Sequence, residues 1–246
     1  MEVTHMHHKP CTVIHNIDEL SSYEAATTER KDNAVPSQSG RAKRSVSSHT
    51  KYWRPGRTLD IALYDEDEEI IQKVKGIADT WLKHANLKFN FISGETGDIR
   101  IYINNLGDGG GISAEGTDAL ALLPQQPTMI LEIDPDDARF EYVVLHEFGH
   151  VLGLHHEHQH PDASIPWDLS KVYAWHLQQF GWNRETVDRN VLPLPRSANY
   201  TYGDYDRYSV MHYSVSRETT LGNWEQGENA VLSAKDIMAV RKAYPM

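Results

Sequence analysis

The stretch His146-Glu147-Phe148-Gly149-His150-Val151-Leu152-Gly153-Leu154-His155-His156 decides the reading of this chain. On a helix, His146 and His150 leave the same face one turn apart, so both imidazoles reach a single ion. Glu147 lies about 60° around the helix from His150, close enough to touch a metal-held water without ligating the metal. Gly153 suits a left-handed helix stop, after which the chain can turn and bring His156 to the same ion. Three neutral nitrogen ligands with one open position describe a catalytic zinc site rather than a structural one. The competing reading is a histidine-rich amphipathic helix end. Two histidines at this spacing leave that reading open; the whole set of five elements does not.

The preceding segment predicts where the helix begins. Asp134-Pro135-Asp136-Asp137 reads as an N-cap, a proline at the first helical position and two carboxylates at the positive helix end. Phe140, Val144, Phe148 and Val151 then recur at helical spacing and are expected to face the core. A helix over about 135–152 follows. Gly149 sits in its interior at a cost of about 1 kcal/mol relative to alanine, and close packing near the site is the one reason the sequence offers.

The pattern His-Glu-x-x-His-x-x-Gly-x-x-His resembles that of the metzincin zinc endopeptidases. Ser209-Val210-Met211-His212-Tyr213 resembles the methionine turn that lies beneath the zinc in that clan. The resemblance spans about Tyr52 to Pro245 and implies His146, His150 and His156 as ligands of one catalytic zinc. It implies Glu147 as general base toward a zinc-activated water, with Tyr213 assisting the oxyanion. Gly153, Met211 and Glu157 are then the structural support of the site. Glu157 after the third histidine is an astacin-like trait. Leu154 stands where astacins usually have phenylalanine, and His160 where they have arginine, although Asp162 is kept. Astacin domains usually carry disulfides, whereas this chain has a single cysteine, Cys11. The resemblance is therefore to a disulfide-free, astacin-like or matrixin-like metzincin, set apart from the astacins proper.

Composition agrees. A chain of 246 residues suits one catalytic domain of about 200 residues and an appendage. A net charge of −11 leaves no basic stripe for nucleic acid. No apolar run approaches the roughly 20 residues of a membrane span. Residues 1–44 read as a prosegment or disordered N-terminal extension, and 45–246 as the zinc metallopeptidase domain, with an upper subdomain over about 51–153 and a lower one over about 154–246. Val35 to Gly40 reads as a linker. Met1 to Pro10 is polar and His-rich, with no apolar leader. Arg41-Ala42-Lys43-Arg44 resembles a dibasic processing site, and the resemblance together with this site favours a secreted protein. Cleavage after Arg44 would start a chain at Ser45; in astacins the new amino terminus is buried and bridges to the glutamate at the place of Glu157. Matrixin prosegments silence their zinc with a cysteine. The context Lys9-Pro10-Cys11-Thr12 lacks the rest of that pattern, so Cys11 reads as a bystander thiol and His5, His7 and His8 as a solvated tail.

The expected fold is α+β and metzincin-like. It comprises a five-stranded mixed sheet with a backing helix, an active-site helix above the cleft, and a smaller, mostly irregular or helical C-terminal part. Strands are predicted over 58–64, 88–92, 99–103, 118–123 and 129–133, and Ile70, Val74, Ile77, Ala78 and Trp81 predict a helix stripe following the acidic run Asp65 to Glu69. The cleft-lining edge strand is placed near Ala119 to Leu123, where extended substrate would pair. Gly107 to Gly111 reads as a mobile loop, since no phosphate-loop Gly-Lys-Ser/Thr follows. Trp167, Trp175 and Trp182 are expected in a second small core, and Ser233 with Asp236 caps the last helix. His156 is favoured as third ligand by register; His155, His158, His160 and His212 are expected to stay off the metal. The implied function is zinc-dependent endopeptidase activity on protein or peptide substrates by a monomer. Two alternatives stay open: a non-catalytic binding protein on the metzincin scaffold, and a zinc hydrolase of non-peptide substrates.

Overall fold

The structure is a computed structural model that describes residues 8–34, 49–64, 68–94, 96–196 and 200–246. Its centre is one mixed sheet of strands β1 (Thr12–Val13), β2 (Thr58–Leu63), β3 (Lys88–Ser93), β4 (Ile99–Ile103), β5 (Gly110–Ser113) and β6 (Met129–Glu132), in the order β1-β5-β6-β4-β2-β3. All neighbours are parallel except β5, which runs antiparallel to β6 and carries β1 on its outer edge. Helix α1 (Glu19–Glu29) belongs to the N-terminal segment. Helices α2 (Glu68–Leu82) and α3 (Phe140–Val151) pack on each other and on the sheet, and α4 (Leu169–Phe180), α5 (Arg184–Asn190) and α6 (Ala234–Ala243) complete the C-terminal half.

The core follows from apolar periodicity. Ile71, Val74, Ala78 and Trp81 of α2 and Phe140, Val144, Phe148 and Val151 of α3 are buried against Leu59, Ile61, Ile99, Ile101 and Leu131 of the sheet. Ile70 and Ile77 sit at the margin, half-buried. A separate small core joins Val172, Val187 and Val191 with Trp167 and Trp182 at its border; Trp175, expected there too, lies outside it and donates through Nε1 to Glu218 at 2.7 Å. Ser233 and Asp236 form the expected reciprocal cap on α6.

Several expectations need correction. Ala119–Leu123 is no strand: Gly116–Leu120 is a 3-10 turn, and the antiparallel strand next to β6 is the glycine-rich β5, with β1 outside it. Reading glycines as a mobile loop fails because one face of β5 lies against α3, where side chains have no room. A Cβ built on Gly111 would stand 2.6 Å from Glu147 Cδ. Helix α3 starts at Phe140 rather than near Pro135, because the Asp134 and Asp137 side chains accept from the backbone N–H groups of Asp136 and Arg139 and hold 134–139 as turns. The sheet has six strands rather than five, since the N-terminal segment adds β1. Finally, much of that segment is folded. Its helix α1 buries only Ser22 and Ala26, so it shows no apolar period. Polar contacts dock it instead: Arg57 to Glu29, Arg30 Nη1 to Ala243 O at 2.8 Å, and Asn33 Nδ2 to Tyr52 O at 2.7 Å. The linker at 35–40, the basic run 41–44, the acids 65–67 and His5 and His7 lie outside the described residues. Among the described residues, no helix is long and apolar enough to cross a membrane.

Candidate metal and catalytic centre

Helix α3 carries His146 and His150 on one buried face, and Gly153, at φ 78°, turns the chain so that His156 returns to them. One nitrogen from each of the three rings lies within 4.8 Å of the others. His146 Nδ1 donates to Val210 O and His150 Nδ1 to Leu154 O, both at 2.8 Å. A carbonyl can only accept, so these bonds fix the proton on Nδ1 and turn each Nε2 lone pair inward. Burial holds all three imidazoles neutral, with His146 lowered to about 4, His150 to about 3 and His156 held well below its ordinary range. His146 Nε2 has no hydrogen-bond partner, and His150 Nε2 faces His156 Nε2 at 3.0 Å. His156 Nδ1 has no partner either, so nothing fixes its tautomer: its Nε2 can hand a proton to His150 Nε2 or turn a lone pair toward an ion. This donor set fits zinc.

Below the ligands, Met211 is buried, and its turn is pinned from α6. Asp236 accepts from Ser209 Oγ at 2.6 Å and from Val210 N at 3.0 Å, and Glu157 N donates to Met211 O at 2.9 Å. Gly149 finds its explanation here: a Cβ at that position would lie 3.1 Å from Met211 Cε and 3.2 Å from Trp81 Cζ2, and closer still to the methionine sulfur. The capping pattern revealed Asp236 in the sequence but not this second duty, which depends on contacts across 26 residues.

Glu147 of α3 is fully buried against β5, and burial raises its carboxyl to about 8. The Tyr213 hydroxyl is buried without a partner; the ring stands edge-on to His156 with centroids 4.5 Å apart. Glu157 accepts from Asp206 N at 2.7 Å, and burial raises it to about 8. It lines a cavity of ≈ 840 Å³ bounded also by Arg30, Tyr200 and Lys235.

Other histidines near this centre have partners of their own. His155 pairs with Glu115, His158 bonds Asn190 O, and His212 bonds Tyr213 O and the Tyr205 hydroxyl. Glu115 escaped the sequence reading. It is buried with Lys51 and His155; burial alone would raise its pKa, but those two neighbours hold it well below the ordinary carboxylate range.

Cys11 is the larger correction. It is no bystander: β1 lays the N-terminal segment along β5, and Cys11 Sγ, a His146 nitrogen and a Glu147 oxygen lie within 4.8 Å of one another. Burial, then the adjacent Glu147, pushes its thiol well above the usual range. Lys9 secures the strand through Glu132 at 2.7 Å. His8 is exposed.

Residues 46–245 match the model of the astacin peptidase family. The chain belongs to the astacin family. Two solved structures of myroilysin resemble this member. One is 36% identical, covering 80% of this chain and 96% of that one, with a TM-score of 0.74. The other is 32% identical over 88% and 96%, with a TM-score of 0.60. Nematocyst expressed protein 6 of Nematostella vectensis is 23% identical over 93% of this chain and 77% of its own length. Family membership makes this chain a zinc-dependent metallopeptidase of the metzincin type, with peptides or proteins as its substrates. The departures at Leu154 and His160, and the absence of disulfides, do not remove it from the astacins.

Proposed function

We propose that this astacin-family chain is the latent form of a zinc endopeptidase. In this reading His146, His150 and His156 hold the ion, Glu147 is the general base and Tyr213 supports the oxyanion. The observation that carries the reading is the meeting of three neutral, converging imidazoles, two of them oriented by backbone carbonyls, with a buried carboxylate beside strand β5. Zinc, when bound, supplies a Lewis acid and acidifies water toward neutrality. The protein does the rest. Strand β5 offers its edge to an extended peptide, so the backbone is recognised before the side chains. Glu147 removes the proton of the attacking water and delivers it to the leaving amine. The Tyr213 hydroxyl, with no other partner, donates to the carbonyl oxygen as negative charge grows there.

Residues 1–44 act as a prosegment in this reading. Strand β1 occupies the edge that substrate needs, and Cys11 brings a sulfur donor to the open side of the histidines, where thiolate binds zinc well. Cleavage after Arg44 would free Ser45 as an amino terminus. The cavity at Glu157 suits it, since a buried carboxylate raised toward neutrality gains from a cation.

The test is hydrolysis of a broad quenched-peptide library by the full chain before and after limited proteolysis, with a chelator arm and zinc add-back. Cleavage that appears on processing, vanishes with chelator and returns with zinc is expected. Folded, zinc-loaded, processed protein that cleaves no peptide would overturn the endopeptidase reading.

A further inference from the structure

Tyr213 lies where nothing holds its hydroxyl, so its aim depends on what holds its ring. His158 does this. The two rings are stacked, with centroids 3.9 Å apart and planes 22° apart, while His156 meets the tyrosine edge-on. His158 is fully buried, its Nε2 donates to the Asn190 carbonyl at 2.9 Å, and it lies outside the converging group of His146, His150 and His156. The neighbouring Gln159 donates through Nε2 to Arg189 O and Leu192 O at 2.9 and 3.0 Å. The 3-10 turn Glu157–Gln159 is thereby tied to the end of α5, with the ligand His156 just before it.

We propose that His158 is a positioning residue for Tyr213: its flat face sets the plane in which the phenol lies and along which it moves toward the reacting oxygen. A stacked face resists tilting and permits in-plane sliding, so the hydroxyl is delivered without being bonded. Misplacing a reacting group by about 1 Å costs up to about a hundredfold in rate. The inference rests on the role given to Tyr213 above.

The proposal separates two functions of His158 that different substitutions keep apart. Gln can still donate to Asn190 O but offers no flat face; Phe offers the face and loses the bond. In the processed enzyme, His158→Gln is expected to lower kcat by about ten- to a hundredfold with KM little changed. His158→Phe should recover most of that loss while lowering the unfolding temperature. In a Tyr213→Phe background, His158→Gln should cost less than about twofold further, because the hydroxyl it positions is gone. In metal-free protein, His158→Gln should lower the unfolding temperature less when Tyr213 is also replaced by Leu. Equal losses of kcat in the parent and in the Tyr213→Phe background would overturn the positioning role alone. A Tyr213→Phe enzyme with unchanged kcat would overturn the tyrosine's role and the inference with it.

Discussion

Gly149→Ala puts the packing beneath the site to a direct test. On an exposed helix the change would stabilise by about 1 kcal/mol. Here the added carbon would meet Met211 Cε at 3.1 Å and Trp81 Cζ2 at 3.2 Å, with the sulfur nearer still, against an ordinary carbon contact of about 3.5–4.0 Å. Neither neighbour can retreat easily: Trp81 is 0% and Met211 2% exposed, and Trp81 Nε1 is bonded to Leu145 O at 2.9 Å. Overpacking of this kind costs about 1–3 kcal/mol, and the upper end applies because the obstacle is a sulfur in mid-chain rather than a free terminus. Setting the helix gain against it leaves about 2 kcal/mol of destabilisation, which lowers Tm by about 4–8 °C in a protein of this size. Thermal unfolding of the metal-free protein, followed by circular dichroism, measures it. The same substitution in a Met211→Ala background should be neutral or stabilising by up to about 1 kcal/mol, since the obstacle has gone and helix propensity remains. A higher Tm for Gly149→Ala alone, or an equal cost in both backgrounds, would refute the packing argument.

Glu147→Gln should bind zinc stoichiometrically and hydrolyse nothing, as judged by metal analysis and peptide turnover on one sample; undiminished turnover would remove it as the base. Cys11→Ser should raise peptidase activity of the uncleaved chain toward that of the processed form, and unchanged latency would assign the block to strand pairing instead of the thiol. Glu115→Gln should destabilise by about 3 kcal/mol at neutral pH, the low end for breaking a buried pair, because Lys51 keeps Asp118 at 2.7 Å. Since folding depresses the Glu115 pKa, its contribution is complete above about pH 5 and disappears as pH falls through the folded value. The Tm gap between variant and parent should therefore narrow in acid, and a gap that widened there would reverse the assigned sign.

The parts of this protein most legible in sequence were those with short-range logic. Histidine spacing, Gly153 and the cap at Ser233 are local geometry, and each is found where the spacing puts it. The period of Phe140, Val144, Phe148 and Val151 marked residues of α3 that are buried in the core, although every residue of that helix but Glu141 is buried. What stayed hidden depends on distant neighbours. The glycines of β5 resemble a loop until Glu147 is known to lie over Gly111. Glu115 is an isolated acid until Lys51 and His155 surround it. Cys11 shows its place only through the pairing of Thr12 with Ile112, a contact no periodicity encodes.

That pairing is short. Strand β1 matches β5 at only Thr12 and Val13, while Glu29, Arg30 and Asn33 are bonded to Arg57, Ala243 and Tyr52 and not to the histidines. The obstruction and its moorings are thus separate, and cutting the chain between them and the catalytic domain breaks neither. What a cut removes is the tether, and with it an effective concentration in the millimolar range. Activation would then be governed by dilution: a cleaved sample kept concentrated stays quiet, and the same sample spread into a large volume wakes with the rate at which the segment leaves.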